Sequence, residues 1–208
     1  MTGKNGMVDV AGAELYYEVE GEGHVLVLLH DGLLDRRSWD GLFETFSRLY
    51  RTVRYDRRGY GRSSMPHQPF SDVSDLHRLL QHLEIEEASL VGVSNGGKVA
   101  LEFALEHPEI VGTMVLVGPN LDGYRPSEEK KRRVASLLSV AQEQGVDAGV
   151  DAWMDDPFYP PEREKMAARE KVRRLLADSL PRLLSVPSHR TGPDSPVSKH
   201  FRGSSRRC

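Results

Sequence analysis

The chain has 208 residues, 38% of them apolar and 28% charged, a net charge of −3, and one cysteine, Cys208. That length suits one domain with at most a small insertion, and the slight acidity argues against a nucleic-acid binder. No apolar run is long enough to span a membrane, Met1–Val10 has no signal core, and a lone terminal cysteine allows no internal disulfide; the expectation is a cytoplasmic protein.

Met7–Val10 and Glu14–Glu20 read as two short strands around Ala11-Gly12. Leu15, Tyr17 and Val19 alternate with Tyr16 and Glu18, as in a strand with one buried face. After the turn Gly21-Glu22-Gly23, His24–Leu29 is an almost unbroken apolar run, the pattern of a strand covered on both faces. His30-Asp31-Gly32-Leu33-Leu34 follows at its end. Trp39–Leu49 has helical spacing, and Arg51–Tyr55 is the next strand. Asp56–Ser63 is a tight loop with Gly59 and Gly61, whose charged Asp56, Arg57 and Arg62 read as loop architecture. Ser71–Leu83 is a helix with Ser71 as its cap and Val73, Leu76, Leu79, Leu80 and Leu83 on its apolar face.

The stretch Ser89–Ala100 contains Gly-x-Ser-x-Gly at Gly92–Gly96. Leu90, Val91 and Val93 suit a buried strand, and Lys98–His107 suits a helix. A serine between the two needs a sharp turn, and Gly92 and Gly96 lack the Cβ atoms that would clash there. The hydroxyl then stands above the carboxyl end of a sheet at a helix N-terminus, where the dipole and free N–H groups favour developing negative charge. Ser94 reads as a nucleophile; the plainer alternative is an ordinary glycine-rich turn. Pro108 stops the helix, and Val111–Val117 is a further apolar strand ending in Gly118-Pro119. Strands alternating with helices imply an α/β fold with a mostly parallel sheet and flanking helices. Its ligand site lies beyond the carboxyl ends of the strands, where Gly32, Ser94 and Asn120 converge.

From Ser127 to Leu184 the pattern changes to charged helices, Glu128–Gln144, Val150–Asp155 and Glu162–Leu180, broken by Pro157, Pro160 and Pro161. The last stretch, 185–208, has three prolines, six serines and five basic residues against one acidic one, a disordered composition. An abrupt change of this kind is what a shifted reading frame near Ser185–Arg190 would leave.

Gly92-Val93-Ser94-Asn95-Gly96-Gly97 resembles the elbow of the α/β-hydrolase superfamily. Leu28-Leu29-His30-Asp31-Gly32 and the segment Arg54–Ser63 resemble it too, in the same order and spacing. The resemblance is close over residues 7–120 and loose over 121–184. It implies a hydrolase core at 1–120, a helical cap at 121–184 and a tail at 185–208. It also implies an oxyanion hole made by the N–H of Gly32 or Leu33 and that of Asn95. Asp31 stands where many members have glycine, and His30 reads as a histidine that hydrogen-bonds the loop. Trp153, Met154, Phe158 and Tyr159 are the cap residues expected to line a substrate pocket or, equally, to pack the cap onto the sheet. In such folds the order is Ser, then Asp or Glu, then His. After Leu184 there is no apolar strand to carry the last two. Asp122 is the better acid candidate, and His189 and His200 are the remaining downstream histidines. The resemblance implies a serine hydrolase cleaving a small carboxylic ester, lactone or thioester, with no cofactor and no metal. The alternative is a truncated, inactive chain that at most binds a ligand. No nucleic-acid or membrane partner is expected, and the oligomeric state stays open.

Overall fold

The computed structural model describes residues 3–121, 127–156 and 166–185. They fall into two compact units, divided near residue 125. The first unit holds six strands: β1 (Lys4–Asp9), β2 (Glu14–Glu20), β3 (Val25–Leu29), β4 (Arg51–Tyr55), β5 (Ala88–Val93) and β6 (Val111–Val117). Its helices are α1 (Asp40–Phe46), α2 (Asp72–His82) and α3 (Asn95–Glu106). The sheet order is β1-β2-β4-β3-β5-β6. β1–β2 and β2–β4 pair antiparallel, whereas β4–β3, β3–β5 and β5–β6 pair parallel. The expected mostly parallel α/β sheet is therefore present, with an antiparallel margin. The chain dictates this split: β1 and β2 are joined by a tight turn in which Val10 N–H donates to Ala13 O at 2.8 Å. Such a turn joins antiparallel strands only, while the parallel pairs need crossovers such as those through α1, α2 and α3.

Each face of the sheet is covered by different helices. On one, Val27, Leu29, Val53 and Leu90 pack with Leu76, Leu79 and Leu80 of α2 and with Val99, Ala100 and Phe103 of α3. On the other, Leu26 and Leu28 pack with Trp39 and with Phe43 of α1, and Val91 and Val93 join them half-buried. Because β3 is buried on both sides, its run Val25–Leu29 shows no alternation. Among the described residues β6 is an edge strand, and Val115 and Val117 are each 52% exposed.

Several boundaries differ from the sequence pattern. The helix expected over Trp39–Leu49 begins as a 3-10 turn, Arg36–Trp39, capped by Asp35, and ends at Phe46. Ser47 Oγ donates to Phe43 O at 2.7 Å there, and Leu49 is left 70% exposed. The helix after the elbow begins at Asn95, three residues before Lys98, because Gly96 and Gly97 form its first turn against the sheet.

The second unit is helical: α4 (Glu128–Gln144), α5 (Val146–Met154) and α6 (Met166–Ser185). α5 starts four residues earlier than its apolar pattern suggested, following Gly145 at φ 98°. A Cβ on Gly149 would lie 2.9 Å from Ala141 Cα and 3.1 Å from Leu180 Cδ2, so this glycine lets α4, α5 and α6 approach closely. α6 continues through Pro181 to Ser185, past the expected end at Leu180. Exposed ion pairs such as Arg169–Asp155 at 2.9 Å and Lys131–Glu128 at 2.7 Å account for the dense charge. Among the described residues no helix is long and apolar enough to cross a membrane.

Candidate active site

The elbow at the end of β5 is built by exclusion of side chains. A Cβ on Gly92 would sit 2.6 Å from Gly96 O and 2.7 Å from Gly97 Cα, and one on Gly96 would sit 2.5 Å from His30 O. Only glycine allows β5, β3 and the start of α3 to meet this closely. Between them Ser94 adopts φ 53°, ψ −112°, a conformation L-residues avoid. Its backbone is held from both sides: Ser94 N–H donates to Val117 O at 2.9 Å, and Lys98 and Asn120 N–H donate to Ser94 O at 3.0 and 3.1 Å. Strain of this kind costs about 1–3 kcal/mol and persists only where the surroundings over-determine it.

The loop after β3 faces the elbow. A Cβ on Gly32 would lie 3.0 Å from Asn95 Cγ, which places Gly32 against the first residue of α3. As that first residue, Asn95 has no intrahelical acceptor for its N–H, and the Ser94 side chain does not cap it. Gly32 N–H has no acceptor among the described residues. Leu33 N–H, by contrast, donates to Asp31 Oδ1 at 2.6 Å, and Leu34 N–H to the same oxygen at 2.9 Å. Of the two loop N–H groups, that of Leu33 is engaged within the loop and that of Gly32 is not, among the described residues. The Asp31 carboxylate is turned onto its own loop as an Asx turn, which removes the conflict of a negative charge aimed at an oxyanion site.

His30 is fully buried and works as architecture. Its Nδ1 pairs with Asp31 O at 2.8 Å, and its Nε2 accepts from Arg57 N–H at 3.0 Å. That arrangement requires the proton on Nδ1. Arg57 Nη2 donates to Asp31 O at 2.6 Å, and Tyr60 Oη donates to Gly32 O at 3.0 Å. Asp56, also fully buried, accepts from Arg36 N–H and Nη1 at 2.9 Å and from Arg62 N–H at 2.8 Å. Burial pushes its carboxyl above the usual range, and the Arg36 guanidinium pulls the other way. The charged loop Asp56–Ser63 thus braces the backbone of the site.

The side chain of Ser94 meets Asn120: Asn120 Nδ2 donates to Ser94 Oγ at 3.4 Å and also to Asn95 Oδ1. Among the described residues no histidine hydrogen-bonds Ser94. Asp122, Phe158, Tyr159, His189 and His200 lie outside the described residues. Trp153 and Met154 lie on α5 of the second unit and are buried, 6% and 8% exposed. No group of His, Cys, Asp and Glu suited to a metal ion occurs among the described residues. The Asn120–Asn95 amide pair was only partly legible in the sequence: Asn120 could be placed at a strand end, but its contact with Oγ depends on the turn at Gly118, φ 51°.

The matches to known proteins concentrate on this region. The chain is 34% identical over 122 residues to an uncharacterized hydrolase of Bacillus subtilis, covering 55% of this chain and 44% of the relative. It is 35% identical over 122 residues to a human serine hydrolase, covering 54% and 42%. It is 31% identical over 119 residues to 2-hydroxy-6-oxo-6-phenylhexa-2,4-dienoate hydrolase of Comamonas testosteroni, covering 53% and 42%. The chain spans less than half the length of these relatives. Among solved structures, a carboxylesterase of Nitrososphaera gargenis superposes with a TM-score of 0.77 at 20% identity, over 95% of this chain and 76% of that one. The enol-lactonase of Burkholderia xenovorans superposes with a TM-score of 0.70 at 22% identity, over 85% and 69%. At those identities the likeness is one of fold. Residues 25–195, most of the chain, match the sequence profile of the alpha/beta hydrolase fold, and the protein belongs to that family.

Proposed function

We propose that the chain carries an acyl-transfer site for a small carboxylic ester, lactone or thioester, with Ser94 as nucleophile. Ser94 Oγ attacks the carbonyl carbon, the carbonyl oxygen takes the negative charge, and the N–H groups of Gly32 and Asn95 hold it. The alcohol or thiol leaves, and water releases the acyl group. The observation that carries this reading is the strained Ser94 backbone between two unengaged N–H donors at the carboxyl end of the sheet. A relative named as a serine hydrolase agrees with it. The substrate-binding roles expected of Trp153, Met154, Phe158 and Tyr159, and that of Asp122 as acid, belong to the same proposal.

A second reading rests on one observation: the partner of Ser94 Oγ is an amide and not a histidine. A serine without a base acylates slowly, although an oxyanion hole and binding alone still accelerate the reaction. Hydrolysis of p-nitrophenyl acetate by the purified chain, beside Ser94→Ala, tests both. Sustained Ser94-dependent turnover supports a base supplied by His189 or His200. One equivalent of p-nitrophenol with an acetyl adduct on Ser94 supports the base-poor reading. Identical behaviour of the two proteins would rule out Ser94 as a nucleophile.

A further inference from the structure

Asn120 is the one side chain, among the described residues, that hydrogen-bonds the hydroxyl of Ser94. It is placed there by backbone, because Val117 O accepts Ser94 N–H and Asn120 N–H returns to Ser94 O at 3.1 Å. Its orientation is set by Asn95, whose Oδ1 takes one N–H of the carboxamide and so directs the other at Oγ, 3.4 Å away. Asn95 thereby aims Asn120 with its side chain, while its backbone N–H is the donor proposed for the oxyanion. A carboxamide N–H is a donor only, so this contact cannot itself accept the hydroxyl proton. It does favour negative charge on Oγ.

Resting on Ser94 as the nucleophile, we propose that Asn120 is a catalytic residue of deacylation, stabilising Oγ as the leaving atom. In that step water adds to the acyl carbon, the C–Oγ bond breaks, and its electron pair goes to Oγ. The proton lost by the water reaches Oγ through solvent, giving a free carboxylic acid and Ser94 hydroxyl. Charge on Oγ peaks as the bond breaks, and a hydrogen bond to a charged oxygen is stronger than one to a neutral oxygen. Attack of Oγ on the ester is the same bond change in reverse, and Oγ gathers negative charge as its proton leaves, so the donor assists acylation as well. The prediction is therefore a loss in both half-reactions, with deacylation read directly from the acetylated chain.

The test is stopped-flow release of p-nitrophenol from p-nitrophenyl acetate, with intact-mass measurement of the acetylated chain over time, for wild type, Asn120→Ala and Asn95→Ala. The expected result for Asn120→Ala is a slower burst than in wild type, followed by decay of the acetylated form about tenfold slower. Asn95→Ala, which keeps its backbone N–H, shifts both half-reactions in the same direction. Equal lifetimes of the acetylated form in wild type and Asn120→Ala overturn the proposal while leaving Ser94 as nucleophile. A slower burst with unchanged decay overturns it too. Absence of any Ser94-dependent release of p-nitrophenol removes the nucleophile and this role together.

Discussion

Ser94 illustrates the exchange of stability for geometry at the scale of one residue. Its φ of 53° is imposed by β5 and α3 closing on each other, with Gly92 and Gly96 providing the room. Glycine adopts such a conformation freely, and the released strain exceeds the added backbone entropy of the unfolded state. Ser94→Gly is expected to raise the unfolding free energy by about 1 kcal/mol in urea titrations, whereas Ser94→Ala, which keeps the strain, leaves it nearly unchanged. A Gly variant less stable than the Ala variant would show that the backbone here is not strained. The nucleophile candidate itself was legible from Gly-x-Ser-x-Gly and its flanks. Which loop N–H stays available was not, because it depends on the Asp31 carboxylate turning onto Leu33 and Leu34.

At the scale of elements, α2 is held by an ion pair as well as by its leucines. Arg58 and Asp75 are both buried, joined by Nε to Oδ2 at 3.0 Å and Nη2 to Oδ1 at 2.7 Å. Arg58 Nη2 also donates to Val10 O at 2.5 Å, so one guanidinium ties the Asp56–Ser63 loop to α2 and to the end of β1. Burial pushes the Asp75 carboxyl up to about 6, against the pull of Arg58. The attraction therefore does not fully repay the burial of the carboxylate, but leaving one charge alone in the interior is more expensive still. Asp75→Ala is expected to destabilise the fold by about 3–5 kcal/mol, and Asp75→Asn, which keeps an acceptor for Arg58, by clearly less. Urea titration of both variants checks this, and equal losses would mean that charge and hydrogen bonding at Arg58 do not matter. Asp75 lies in the first turn of α2, where sequence position alone suggests only a favourable charge at a helix start. Its partner, 17 residues upstream, is set only by the loop's path.

For the whole molecule, the informative feature is the margin of the sheet that β6 forms among the described residues. β6 reads Val-Gly-Thr-Met-Val-Leu-Val, without charge or proline, and Val115 and Val117 are half exposed. Val91 and Val93, their register partners on β5, belong to the face that α1 covers, and that cover thins toward β6. An uncharged apolar edge strand invites pairing with other chains. Val115→Lys combined with Val117→Lys is expected to raise the concentration at which the chain stays monodisperse by light scattering, without altering the circular-dichroism spectrum. No gain in solubility would show that this edge is not the limiting surface.

Local chemistry determined much of this protein. Alternation and apolar runs place six strands, glycine spacing places the elbow, and the order of elements implies the parallel core. These are short-range signals, carried by residues a few positions apart. Tertiary structure decided the rest: the end of α1 at Phe46, the pairing of Arg58 with Asp75, the engagement of Leu33 N–H by the Asp31 carboxylate, and the amide of Asn120 at Ser94 Oγ. Each of these depends on groups brought together from distant positions, or on a carboxylate choosing one donor among several, and neither leaves a periodic trace in the sequence.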